Sequence, residues 1–271
     1  MSATLKFPAE AGQPFREIPV LFEDEFLIAL DKPPGLPVLP DPAAPDLPAL
    51  LPMLHGGIAA GKPWARERGL SYLMNIHRLD TEAGGVLLFA RSKDMFVRMN
   101  NLFSMEQPVR EYVALSHGAP IEPRFEVDLK LAPNPSNPAL VKIDSARGKR
   151  SRTQVELVEQ FSNWALFRCR MLTDRQHQLR VHLRHSRLPV VGDALYGGRP
   201  LLLSRLKPGY RLKPGKTERP LLSSPALHAV KIAFDHPQTG ARVEVESPMP
   251  KDFEVALKYL RRYQGKAEGG V

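Results

Sequence analysis

A single cysteine, Cys169, in 271 residues excludes a disulfide framework or a cysteine-built metal site within one chain. Long apolar runs are also missing. None approaches the roughly 20 residues that a bilayer-spanning helix needs, and Met1 to Lys6 lack the apolar core of a signal peptide. The expectation is a cytoplasmic protein with no membrane partner. Neither a P-loop nor a dinucleotide fingerprint occurs, and no cofactor is expected. Acid is scarce relative to base: 29 Asp and Glu stand against 38 Lys and Arg, a formal charge of +9. Such a surplus points to a polyanionic partner, a nucleic acid ahead of an anionic membrane surface. Hydrophobic residues make up 43%, enough for a proper core.

The densest chemistry lies in Asn75-Ile76-His77-Arg78-Leu79-Asp80, followed by Thr81-Glu82-Ala83-Gly84-Gly85 and Val86-Leu87-Leu88-Phe89-Ala90. The last five residues read as a buried strand. The glycine pair reads as a tight loop, because glycine reaches backbone angles that other residues avoid. A histidine, an arginine and a carboxylate thus precede a rigid strand on a sharply turned loop. By residue type alone, Asp80 reads more readily as a turn or cap residue than as a nucleophile.

Along the chain, residues 1–19 read as an irregular N-terminal arm. Val20 to Phe22 and Phe26 to Leu30 form a hairpin around the acidic turn Glu23-Asp24-Glu25, ended by Asp31-Lys32-Pro33-Pro34-Gly35. Residues 38–70 read as a loop insertion, with a short interrupted helix from Leu47 to Leu54. Ser92 caps a helix whose inward stripe is Met95, Phe96, Met99, Leu102 and Phe103. Strands follow at Arg110–Leu115, Thr153–Val158 and Trp164–Leu172. Thr173 and Asp174 are placed to cap a helix starting at Arg175. Residues 199–222 form a second loop insertion. Between Arg199 and Arg219 it carries seven Lys/Arg against the one acid Glu218. A hairpin spans Leu227–Phe234 and Ala241–Val245, and Asp252 caps a last helix. The fold class is α+β: a single catalytic domain over 20–262, built on a mostly antiparallel, mixed bent sheet flanked by helices and loops. Residues 263–271 are expected to form a flexible tail.

Arg175-Gln176-His177-Gln178-Leu179-Arg180-Val181-His182-Leu183 is the second dense polar stretch. His177, His182 and His185 raise the question of a metal, but no cysteine or well-placed acid joins them, and no metal is expected.

These strings together resemble the RluA-type pseudouridine synthases. His77-Arg78-Leu79-Asp80 with its small-residue loop and strand matches the family signature. Lys32-Pro33-Pro34-Gly35 is similar to its first motif. Arg175 to Leu183, then Pro189-Val190-Val191-Gly192-Asp193-Ala194-Leu195-Tyr196-Gly197, resemble the later ones, with Leu227-His228-Ala229 and His236-Pro237 closing the series. The resemblance implies that Asp80 is the nucleophile, that Tyr112 packs against the target base, and that Arg180 pairs with Asp80. It implies that Arg78 fills the gap left by a flipped nucleotide, with His77 beside it at the substrate. The protein is then a monomeric isomerase that converts uridines of ribosomal or transfer RNA to pseudouridine. Arg205, Lys207, Arg211 and Lys213 are expected to bind RNA, because they concentrate cations on a Gly/Pro-broken segment.

Departures are Ala83-Gly84-Gly85 for Thr-Ser-Gly and Asp174-Arg175-Gln176 for Gly-Arg-Thr, with the lost hydroxyls expected to loosen the nucleophile loop. The short arm leaves no space for the RNA-binding module that precedes the catalytic domain in many relatives. Two other readings stand: a catalytically inactive RNA-binding protein on the same fold, and a glycosidase or nucleosidase. The second needs another carboxylate; only Glu82 is near, and it is expected to point outward.

Overall fold

The computed structural model describes residues 4–7, 16–40, 46–137, 139–213 and 215–265. The backbone forms two compact units: residues 1–110 with 229–248, and residues 111–228 with 249–271. Parts of the expected arm (1–3 and 8–15), of the first insertion (41–45) and of the tail (266–271), with Pro138 and Pro214, lie outside the described residues.

The first unit opens with β1 (Thr4–Phe7) and β2 (Arg16–Glu23), paired antiparallel. Residues 4–7 and 16–19 of the expected arm are therefore strand, with Leu5 and Ile18 fully buried. Next come β3 (Leu27–Lys32), α1 (Leu50–Ala59), α2 (Pro63–Arg66), β4 (Met74–Asn75), β5 (Gly84–Ala90) and α3 (Lys93–Ser104). Between β2 and β3 the Asp24 carboxylate accepts from the backbone N–H of Phe26 and Leu27, at 2.8 and 2.7 Å. The acidic turn is thus a capped turn. All seven residues of β5 are buried, as a strand with neighbours on both edges requires: β3 and β4 pair with it antiparallel. The Ser92 hydroxyl accepts from Met95 N–H at 3.2 Å and caps α3. Met95 and Met99 of that helix pack on Leu27, Ile76, Val86 and Leu88.

The first insertion is not simply loop. Pro52 falls in the first turn of α1, where the missing N–H costs little. A Cβ on Gly57 would come within 2.2 Å of the Trp64 ring, so this glycine admits α2 and does not break the helix.

The second unit continues with β6 (Val109–His117), β7 (Arg124–Pro133), β8 (Val141–Ile143), β9 (Lys149–Gln160) and β10 (Trp164–Met171). They lie in the order β6-β10-β9-β7-β8, and each neighbouring pair is antiparallel. Then follow α4 (Gln178–His185), one 3-10 turn (Ala194–Tyr196) and α5 (Leu203–Leu206). β12 (Arg242–Glu246) and all but the first two residues of its antiparallel partner β11 (Leu227–Asp235) belong to the first unit, and α6 (Lys251–Gln264) to the second.

Three expected helix boundaries shift. α4 begins at Gln178, after His177 in a left-handed turn at φ 52°, and not at Arg175. Thr173 is taken up elsewhere: its hydroxyl accepts from Arg152 N–H and donates to the Gln178 side chain. Asp252 does not cap α6, whose first flanking residue is Pro250; it accepts from the backbone and hydroxyl of Ser223. Tyr263 and Gln264 of the expected tail are the end of α6. Twelve strands and six helices among the described residues make an α+β fold.

Candidate active site

In the first unit, the loop between β4 and β5 carries Asp80, which is half-buried, and Arg78, which is exposed. The loop is fixed through its main chain. Thr81 C=O accepts from Gly35 N–H at 2.7 Å and from the Lys32 ammonium at 3.2 Å. Ala83 N–H donates to Asp80 C=O at 3.1 Å. These bonds hold the loop without the two hydroxyls missing from the family pattern. Gly85 closes it at φ +115°, where a Cβ would lie 2.2 Å from Ala229 C=O. The strained angle and the close approach together require glycine.

Lys32 is the residue that sequence reasoning passed over. It is fully buried, and its Nζ also donates to Leu36 C=O at 2.8 Å and Pro33 C=O at 3.1 Å. Three carbonyl acceptors match the three hydrogens of an ammonium. Burial pulls its pKa down from 10.5 to about 7, against the opposing pull of Asp80 and Glu82. The loop that carries Asp80 is therefore underlain by a cation. Glu82 is half-buried within the field of that cation, so it does not simply face outward. The only signal for Lys32 in the sequence was its place in the Lys-Pro-x-Gly string.

His77, expected at the substrate, packs inside the first unit. Its ring is buried, stacks on Phe103 at 5.5 Å between centroids, and its Nε2 accepts from Leu88 N–H at 3.2 Å. Burial, then the nearby Arg110 charge, lowers its pKa to about 3. His77 is a neutral support that ties the loop to β5.

In the second unit, Tyr112 is a buried residue of β6, and Arg180 projects from α4 with only 2% of its surface exposed. Asp193, fully buried, grips the Arg180 guanidinium with both oxygens: Nε and Nη2 each donate at 2.7 Å. The Tyr196 ring lies 5.2 Å from the same guanidinium. The Tyr196 hydroxyl accepts from Val141 N–H and bonds His177 Nδ1, both at 2.8 Å. Arg180 is thereby held in one orientation by a chelating carboxylate and an aromatic face. Asp193 and Tyr196 stood inside the matched Gly-Asp-x-x-Tyr-Gly string, but nothing in the sequence gave them this task.

The three histidines near α4 are occupied separately. His177 bonds Tyr196, while His182 bonds the hydroxyls of Ser151 and Thr153 at 2.8 and 3.0 Å. His185 is exposed at the end of the helix. Arg205, Lys207, Arg211 and Lys213 are all exposed. Arg205 lies in α5, a short helix inside the expected loop, beside which Glu218 accepts from Ser204 N–H at 2.8 Å. Among the described residues no helix is long and apolar enough to cross a membrane.

The RNA pseudouridylate synthase family signature matches residues 26–185. The ribosomal large subunit pseudouridine synthase D of Xylella fastidiosa is 32% identical over 248 residues, which cover 89% of this chain and 69% of that relative. An uncharacterized RNA pseudouridine synthase of Mycobacterium bovis is 30% identical over 260 residues, covering 93% of this chain and 78% of the relative. Among solved structures, human RNA pseudouridylate synthase domain containing 4 shares the fold, with a TM-score of 0.64 at 24% identity over 89% of this chain and 92% of that one. With the expected motifs in order along the chain, the protein belongs to the RNA pseudouridylate synthase family, RluA type, and is an enzyme of that class.

Proposed function

We propose that the protein isomerises uridines in large-subunit ribosomal RNA, with Asp80 as nucleophile acting on a nucleotide flipped out of its helix. The supporting observation is the setting of Asp80: a carboxylate on a loop whose backbone is bonded to a buried ammonium. The choice of RNA follows the names of the similar proteins, several of which are ribosomal large subunit synthases. Isomerisation breaks the bond from the ribose C1′ to N1 of uracil, turns the base, and forms a bond from C1′ to C5. The proton on C5 is released and N1 gains one. Nothing is oxidised or reduced. A carboxylate that starts this sequence must be ionised and held still, and a nearby fixed cation favours both.

The target atoms are out of reach in a stacked helix, so the nucleotide must leave it. In this reading Arg78, exposed on the same loop, occupies the vacated space. The family resemblance assigns Tyr112 the stacking against the base and Arg180 the charge that serves the nucleophile. The cations of the exposed 199–219 segment contact phosphates.

The test is turnover. Purified protein is incubated with a large-subunit ribosomal RNA transcript and, separately, with tRNA transcripts, and pseudouridine is mapped by position. Site-specific pseudouridine in the ribosomal transcript is expected. Pseudouridine in tRNA alone would reassign the substrate. Free uracil would identify a nucleosidase. Binding without product would leave an RNA-binding protein.

A further inference from the structure

In the second unit, β8, the end of α4 and the 3-10 turn enclose a groove of about 370 Å³. Its floor is apolar: Val141, Val181 and the Tyr196 ring, all buried. Its rim carries two cations, Lys142 and Arg184, with His185 beside them. Among the described residues no acidic side chain lines it. Lys142 shares its charge with Asp144 at 3.2 Å, whereas Arg184 is exposed and makes no ion pair among the described residues. The volume falls at the lower end of small-molecule sites, about 300–1,000 Å³. That suits one unstacked nucleotide and not a duplex.

We propose that this groove is a second nucleotide-binding subsite for the RNA substrate. An unpaired nucleotide places its base on the Val141–Val181–Tyr196 floor and its phosphate against Arg184 and Lys142. The chemistry is that of single-strand recognition, where a base loses water against an apolar or aromatic face while cations hold the backbone. Charge complementarity commits the groove to an anionic occupant, and an apolar, partly aromatic floor beside Lys142 and Arg184 commits it to a nucleotide. One of its walls also bears on the site: the Tyr196 ring that floors the groove is the ring beneath the Arg180 guanidinium.

The proposal rests on the RNA-modifying reading, and its test separates the two. Two variants are compared with wild type: Arg184→Ala with Lys142→Ala, and Ile143→Glu, which sets an anion at the rim from β8 without touching α4. The measurements are RNA affinity at two salt concentrations, KM and kcat for pseudouridine formation, and melting temperature. Both variants are expected to raise Kd and KM about tenfold with kcat unchanged, and the double variant to lower the salt slope by about 1–2. Wild type without turnover would fault the enzymatic reading itself. An active wild type with unchanged Kd and KM in Ile143→Glu overturns the subsite. So does a double variant that only melts earlier, since Arg184 would then merely complement the negative end of α4.

Discussion

Lys32 yields the sharpest test of how the Asp80 loop is held. Burial moves its pKa from 10.5 down to about 7, which disfavours the ammonium in the fold by about 5 kcal/mol relative to water. The sign follows from linkage. A lysine whose folded pKa lies below its unfolded value binds fewer protons folded than unfolded between pH 7 and 10.5. Stability contributed here therefore rises with pH across that window. Integrated from pH 7 to 9, the rise is about 2 kcal/mol. Lys32→Met titrates nothing at this place and lacks the rise. It also strips a donor from the carbonyls of Pro33, Leu36 and Thr81, each worth about 1–3 kcal/mol. Near pH 7 that loss is largely offset by no longer burying a charge. The melting temperatures of wild type and Lys32→Met should therefore lie close at pH 7 and diverge by about 4–8 °C at pH 9. Turnover should fall at both values, because the bond to Thr81 that fixes the nucleophile loop is gone. Parallel melting profiles from pH 7 to 9 would refute the lowered pKa of Lys32, and unchanged turnover would refute its hold on the loop.

Other outcomes follow from the same geometry. Gly85→Ala should destabilise by about 2–5 kcal/mol, read by chemical denaturation, since its Cβ meets Ala229 C=O at 2.2 Å with φ at +115°. A near-neutral result would mean that the loop relaxes freely. Asp193→Ala should cost about 3–5 kcal/mol by leaving a buried guanidinium without its chelating partner. At temperatures where the variant stays folded, kcat should fall while RNA affinity persists; equal loss of both would make Asp193 a folding residue only. Neutralising Arg205, Lys207, Arg211 and Lys213 together should weaken RNA binding and flatten its salt dependence, and equal affinity at two salt concentrations would retire that interface.

The fold was legible wherever one pattern settled the element. Val86 to Ala90 could only be a buried strand, and Ser92 with Met95 and Met99 a capped helix. α1 was obscured because Pro52, Gly56 and Gly57 are read as breakers. The proline sits where a helix tolerates it, and Gly57 gives room to a tryptophan seven residues away. Of the site, the motif strings marked Asp80, Tyr112 and Arg180 as residues of interest. Sequence could not reveal that Lys32 is buried, because its acceptors are backbone carbonyls that carry no side-chain signature. Nor could it show the packing of His77, since only the fold brings the Phe103 ring against it. Asp193 and Tyr196 lie 13 and 16 residues beyond Arg180, and only the fold of the intervening turn makes them its supports.

The central claim is that Asp80 performs the chemistry, and Asp80→Asn tests it most directly. Volume and polarity are nearly unchanged, so the variant should keep its melting temperature. It should bind RNA as wild type does, since on this account the phosphate contacts are made by the exposed cations of residues 199–219 and not by Asp80. Pseudouridine formed per hour should drop to background, because an amide is neither a useful base nor a comparable nucleophile. All three quantities are to be measured on one preparation. An Asp80 that served only as counter-charge to Lys32 would give an early-melting protein whose residual activity tracks its folded fraction. Near-normal turnover in a well-folded Asp80→Asn would contradict the mechanism outright.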